Sequence, residues 1–389
     1  MVLVIGAALT AFGRRTDGTS FRDWGVQAFE AALAMSDIDR RDIDTLVFAS
    51  ESDFFTLQLN PASILAQDLG LIGAATLRVE GGGASGQLAV HAAVARLLSG
   101  LARRIAVVGL DPSASALDGD SIRRLYGYSF DAWTEGMTGI SATALYALSF
   151  QAFAQETGAS LSDLDRVTRK NRANACGNPG AHLPRRHADA DIAASPMIAA
   201  PYRRLHCSPL SDGAAALILA RDDGAPSTRR RTAPRITGIG AASDAPALGH
   251  RARPGRFAAK TAAMARATGM AGITPDRIDL AEVYDPYAGA ELQGIDALGL
   301  ADDTLRAARD GTFAADGRCA VNLSGGLMGQ GAPVGAVGVG QVASLALLLE
   351  GRYHAGLQPA RALHRALADT HGGVGTTCAV TILQPGEAA

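Results

Sequence analysis

The chain has 389 residues, of which 48% are hydrophobic and 19% charged, and a formal net charge of −2 at pH 7. That length exceeds what one ordinary core fills and suits two domains or two fused halves, and the composition excludes a disordered chain. The balanced charge, with no basic stripe, excludes nucleic acid as an expected partner, and the lack of a run of about eighteen apolar residues excludes a membrane-spanning helix.

Taken in chain order, "MVLVIGAALTAFG" has no basic flank and reaches Gly6 where a strand would end, so it reads as a first strand rather than a signal peptide. A helix pattern over Phe21–Met35 follows, then "TLVFAS", a short helix near Pro61–Leu69, "AATLRVE", a helix stopping at Ser99 and Gly100, and "RIAVVGL". Short β runs alternating with helices predict an α/β protein with a largely parallel sheet. From Asp111 to Trp133 the rhythm breaks in what reads as an inserted loop carrying Tyr126, Tyr128 and Trp133; a second irregular stretch runs from Asn178 to Cys207. "SPLSDGAAALILA" (Ser208–Ala220) returns to a turn and a strand, and "DDGAPSTRRRTAP" (Asp222–Pro234) is the most linker-like segment. The expected division is an N-terminal half, 1–235, with an inserted region at about 111–210, and a C-terminal half, 236–389. "VNLSGGLMGQGAPVGAVGVGQVASLALLLEG" and "HGGVGTTCAVTIL" repeat the strand, Gly-rich turn and helix order, as an internal duplication would.

Within "VEGGGASGQLAVHAA" (Val79–Ala93), a strand meets a glycine-rich turn and then a helix. The first N–H groups of such a helix are unpaired and its dipole favours negative charge, which makes the segment a catalytic elbow. Elbows of this kind carry Ser or Cys at the tip; here the tip is Gly83. Ser85 reads as a residue that bonds the turn, since neither a G-x-S-x-G frame nor a His–Asp pair accompanies it. Cys176, Cys207, Cys319 and Cys378 are scattered with no C-x-x-C pair, which argues against zinc or a disulfide framework and suits a reducing cytoplasm.

Four segments in order carry a resemblance: "VEGGGASGQLAV", then "NPGAHLP" with "LHCSPLSDGAAALIL", then "AEVYDPYAGAELQGIDALGL", then "VNLSGGLMGQGAPVGA". Together they resemble the thiolase superfamily, in its sterol-carrier-type thiolase and lipid-transfer branch. The resemblance implies duplicated α/β halves with a central helix layer between two mixed five-stranded sheets, pairing of two copies through "AATLRVE", and a pocket shared by Gly83 and Ala332. It also exposes the departures. Thiolases hold the acyl group on a Cys where this chain has Gly83, and activate it with a His where this chain has Ala332. In the third block, the branch's His and second Cys correspond to Tyr284 and Pro286.

A retro-aldol cleavage of a β-hydroxyacyl-CoA needs no nucleophile, only a base for the hydroxyl proton and donors for the enolate. Relatives resembling steroid side-chain aldolases work this way, with Tyr in place of His, a second Tyr in the loop where this chain has Ala332, and a small zinc-ribbon/OB-fold partner. The catalytic candidates are therefore Tyr284, Asp285 and His371. Candidates for substrate or CoA contact are Gly83, Ser324, Gly325, Gly326, Ala332 and His182. A tyrosine with a pKa near 10 needs a cationic or hydrogen-bonding neighbour to act as a base, or else serves as a proton donor. Asp285 either orients that neighbour or caps the helix starting near Tyr287. His371 belongs to the C-terminal Gly-rich turn, where an exposed turn histidine is the plainer reading. The expected ligand is a CoA thioester as substrate, with no bound cofactor or metal. The alternatives are a non-catalytic acyl-CoA-binding or scaffold subunit, and another CoA-dependent condensation or acyl transfer.

Overall fold

The strands run, in chain order, β1 (Val2–Leu9), β2 (Thr45–Ala49), β3 (Ala75–Val79), β4 (Arg104–Pro112), β5 (Met197–Ala199), β6 (Tyr202–Arg203), β7 (Asp212–Arg221), β8 (Arg235–Ser243), β9 (Leu280–Glu282), β10 (Ala320–Val321), β11 (Ala366–Gly372) and β12 (Thr377–Gln384). They belong to a computed structural model that describes residues 1–222 and 228–387, so residues 223–227 of the linker-like segment lie outside the described residues. β5 and β6 pair by themselves, and the other strands take the order β10-β9-β11-β12-β8-β1-β7-β4-β2-β3. The two halves of this order repeat one pattern. β2 is parallel to β3 and β4, and β7 is antiparallel to β4 and β1. Likewise β9 is parallel to β10 and β11, and β12 is antiparallel to β11 and β8. The two five-strand sets are not separate sheets: they join edge to edge where Val2 meets Ile236 and Leu3 meets Arg235.

Two helices, the elbow helix Ser85–Leu98 and the helix Val334–Leu349, lie between the two sets and share one core with residues of β1, β4, β7 and β11. The second is buried over most of its circumference, as expected for a helix apolar on all sides. They cross at glycine on glycine. A Cβ on Gly86 would stand 2.7 Å from the Val339 nitrogen and 2.8 Å from the Gly338 Cα, so no larger residue allows this approach. The helices Phe21–Met35 and Pro61–Asp68 cover the outer face of the first set through Trp24, Phe29 and Leu65. Ala258–Ala271 and Ala288–Leu298 cover that of the second.

Between β4 and β7 the chain leaves the sheet. The stretches read as irregular hold the helices Gly119–Tyr126 and Asp189–Ala194 and the β5–β6 pair, flanking the longer helices Ala142–Thr157 and Leu161–Ala175. Ser141 caps the first of those two, accepting from the Ala144 N–H at 3.2 Å, and Gly158 ends it at a φ of 77°. Phe130, Tyr146, Phe150, Phe153 and Tyr202 of this region pack on Phe257, Leu292 and Val374, seating it over the C-terminal set. Among the described residues no helix is long and apolar enough to cross a membrane.

Candidate active site

A cavity of about 280 Å³ opens where the elbow, the ends of β2, β9 and β11, the inserted region and the Gly331–Val334 loop converge. Gly83, Tyr284, Ala332 and His371 line it, so the structure brings these four expected residues together. Asp285, Ser324, Gly325, Gly326 and His182 are not among its lining residues.

The elbow turn is held by its own side chains. The Gly81 N–H donates to Ser85 Oγ at 2.9 Å, the Gly82 N–H donates to Glu80 Oε1 at 2.9 Å, and the Ser85 hydroxyl donates to the Gly82 carbonyl at 2.6 Å. The Gly83 N–H has no acceptor among the described residues. A Cβ built on Gly83 would overlap the Tyr284 hydroxyl and the His371 carbonyl oxygen and lie 2.8 Å from Tyr284 Cζ. The phenol thus occupies the space in which a nucleophile's side chain would begin.

Tyr284 follows β9, and its N–H donates to Asp369 Oδ2 at 3.2 Å. Its ring stands edge-on to His371, with centroids 4.8 Å apart, and packs with Leu327, Ala332 and Val337. Burial, with the nearby carboxyls of Glu51, Asp285 and Asp111, pushes the phenol well above its usual pKa. The phenol is therefore held in its protonated form.

His371 is not in an exposed turn. It lies in β11, which pairs on both sides, and is fully buried. Its Nδ1 is 3.1 Å from Lys260 Nζ and its Nε2 is 2.9 Å from Tyr146 Oη. An ammonium only donates, so Nδ1 accepts from Lys260 and Nε2 carries the proton offered to Tyr146, whose hydroxyl donates to the Gly373 carbonyl. Burial, Lys260 and Arg251 hold the imidazole well below its usual pKa, hence neutral. Both ring nitrogens are engaged, and His371 has no lone pair left for a substrate proton. Lys260 is itself fully buried and ion-paired with Asp369.

Asp285 does not cap the helix starting at Ala288. Its Oδ1 accepts from the Leu327 N–H at 2.6 Å and its Oδ2 from Asn171 Nδ2 at 2.7 Å, so it closes the start of the short helix Gly326–Gly329. A Cβ on Gly326 would strike both carboxyl oxygens. Ser324 donates through its N–H and hydroxyl to Glu282, at 3.0 and 2.6 Å, and Gly325 lies against Ala175. His182 Nδ1 meets Ser211 Oγ at 2.8 Å, and Ser211 Oγ accepts from the Ala332 N–H at 3.0 Å. These residues set the shape of the Gly-rich loop from behind, because the oxygens of Asp285 and Ser211 hold the main-chain amides of Leu327 and Ala332.

Four lining or supporting groups carried no expected role: Glu51, Tyr126, Tyr146 and Lys260. Glu51 follows β2 and lines the cavity, and the Tyr126 hydroxyl donates to its Oε2 at 3.0 Å. Its N–H donates at 2.9 Å to Asp111 Oδ2, which also accepts from the Gly335 N–H at 2.6 Å. Burial and the neighbouring Asp111 push the Glu51 carboxyl up to about 8, against the opposing pull of the Tyr126 hydrogen bond. The position of Glu51 just past the carboxyl end of a parallel strand was the one available signal. Cys207 lines the cavity, but burial pushes its thiol up to about 12, and Cys319 and Cys378 are raised to the same level. Among the described residues no group of three or more His, Cys, Asp or Glu could hold a metal ion.

Residues 240–385 match the family model described as "Thiolase C-terminal domain-like". An acetyl-CoA acetyltransferase of Methanothermobacter thermautotrophicus is 32% identical over 384 residues, covering 98% of each chain. Human sterol carrier protein 2 is 24% identical over 90% of this chain and 66% of its own length. A solved structure described as an Ltp2-ChsH2(DUF35) aldolase superposes with a TM-score of 0.84 at 23% identity, covering all of this chain and 98% of that one. The chain belongs to the thiolase superfamily.

Proposed function

We propose that this protein cleaves the Cα–Cβ bond of a β-hydroxyacyl-CoA, releasing a carbonyl compound and a shorter acyl-CoA without any cysteine nucleophile. The observation that carries the reading is the Tyr284 hydroxyl at the tip of the elbow, in the space a nucleophile's side chain would need. Acyl transfer from a β-keto thioester requires an atom to accept the acyl group, and neither Gly83 nor the protonated Cys207 thiol supplies one. Retro-aldol cleavage requires a base, an acid and stabilisation of an enolate. The Gly83 N–H serves as a donor to the thioester oxygen, at a first turn where helix amides have no internal acceptor. The Tyr284 phenol, protonated throughout the neutral range, delivers a proton to Cα as the enolate collapses.

Ala332 favours a second reading, a non-catalytic acyl-CoA-binding subunit, because it leaves that loop without a titratable side chain. Incubation with β-hydroxyacyl-CoA esters of increasing size, steroid side chains included, followed by mass spectrometry of the CoA products, separates the two. A shorter acyl-CoA appearing with the carbonyl product supports cleavage; tight binding with no product favours the second reading. The assembly proposed is a cytoplasmic homodimer carrying a small zinc-ribbon/OB-fold partner, in line with the ChsH2(DUF35) chain named in the similar aldolase structure.

A further inference from the structure

Resting on the reaction proposed above, we infer that Glu51 takes the proton from the substrate's β-hydroxyl, with Tyr126 positioning its carboxylate. The cavity's lining leaves few choices. Tyr126, Tyr146, Tyr284 and Tyr287 are phenols that burial drives above their usual range. The Cys207 thiol is pushed up to about 12, and both nitrogens of His371 are engaged by Lys260 and Tyr146. Glu51 is the carboxyl among the lining residues, and no Lys, Arg or His forms an ion pair with it among the described residues.

The geometry suits a base. One oxygen, Oε2, is fixed by the Tyr126 hydroxyl, while Oε1 takes no hydrogen bond from a described side chain. The Glu51 main chain is clamped through Asp111 to Gly335, at the start of the helix that follows the Ala332 loop. Asp111 and Glu80 are the like charges acting on Glu51, Tyr126 is the opposing donor, and Arg78 acts on Asp111. A base that titrates near the working pH couples availability of the carboxylate with proton affinity.

The step balances without another reactant. Glu51 Oε1 accepts the hydroxyl proton, and the O–H electron pair becomes the second bond of the new carbonyl. The Cα–Cβ pair moves onto Cα and the thioester oxygen as an enolate. Tyr284 protonates Cα, and the proton on Glu51 returns to the Tyr284 oxygen, restoring both groups.

The test is a pH–rate profile of the parent, Glu51→Gln and Tyr126→Phe on one β-hydroxyacyl-CoA, with the CoA-ester Kd measured alongside. The parent should gain activity as pH rises through about 8, where Glu51 loses its proton. Glu51→Gln should lose about 10²–10⁴-fold in kcat, and its remaining rate should lack that limb. Its Kd, kept within about threefold of the parent, reports that it folds; the factor is under 1 kcal/mol. Tyr126→Phe loses the bond that lowers the Glu51 pKa, so its limb should move to higher pH, a shift that a purely structural residue would not cause. A parent that cleaves the ester beside an equally active Glu51→Gln, or one that keeps the limb, overturns this assignment alone. An unmoved limb in Tyr126→Phe overturns the positioning role. A parent that cleaves nothing overturns the reaction and the assignment together.

Discussion

The Tyr284 hydroxyl fills the space that a Cβ on Gly83 would need. The two positions are therefore one feature: the phenol requires glycine at the elbow, and glycine leaves the elbow open to the phenol. The His371 carbonyl closes the same space from the main chain, so even a methyl group at Gly83 has nowhere to go.

Gly83→Ala should accordingly destabilise the fold by about 1–3 kcal/mol through overpacking. Adding Tyr284→Phe removes the hydroxyl but not the carbonyl, so only part of the loss should return, as a non-additive double-mutant cycle. Denaturant melts of the four chains measure this. Parent-like stability of Gly83→Ala would show that the elbow has room after all.

Tyr284→Phe by itself should lower kcat on a β-hydroxyacyl-CoA by about 10²–10⁴-fold and leave KM near the parent value, because the proton is transferred only in the transition state. Equal loss in binding and turnover would point to a packing role instead.

Lys260→Met strands the Asp369 carboxylate in the core and should cost about 3–5 kcal/mol. Pairing it with Asp369→Asn should recover much of that loss. Imidazole ¹⁵N shifts give an independent readout: in the parent, His371 should be neutral with its proton on Nε2. A proton on Nδ1 would break the hydrogen-bond chain through Tyr146.

Alkylation of the native protein at neutral pH should label Cys176, the exposed thiol. Cys207, Cys319 and Cys378, each pushed up to about 12, should react at least roughly 10³-fold more slowly than an ordinary thiol. Intact mass after incubation with acyl-CoA should show no acyl adduct. A stable adduct on Cys207 would restore a nucleophile to the cavity and remove the case for a non-covalent reaction.

β3 is an edge strand with an exposed Leu77, and Leu57, Leu59 and Ile72 nearby in sequence are also exposed. An open edge of this kind invites pairing, so light scattering should report a dimer at micromolar concentration, and Leu77→Lys should weaken it. A monomeric parent would count against the assembly proposed.

Much of this was legible in the residues. The helix read over Phe21–Met35 has those bounds in the structure, and the repeated Gly-rich turns correspond to two matching strand sets, but the sheet expected to be largely parallel is mixed, because β1, β7, β8 and β12 pair antiparallel. The empty elbow at Gly83 and the missing imidazole at Ala332 were visible as departures from motif. These are local properties: side-chain periodicity and glycine's steric freedom act over a few residues, and a sequence displays them directly.

What converges on the cavity was not local. Asp285 was expected to serve Tyr284 or the helix beside it, yet it caps a turn reached only through β9 and β10. His371 reads as a turn residue until β11 runs through it, pairing it with Cys378 of β12, and Lys260, Tyr146 and Tyr284 enclose its ring. Glu51 meets Tyr126, and Tyr284 meets Gly83, only in the folded chain. By itself the sequence determined the elements, their order and the absence of a thiol at the elbow. The tertiary structure decided which side chains share the cavity and in what protonation state, because burial and long-range partners, not chain neighbours, set the energy of a charge or a proton.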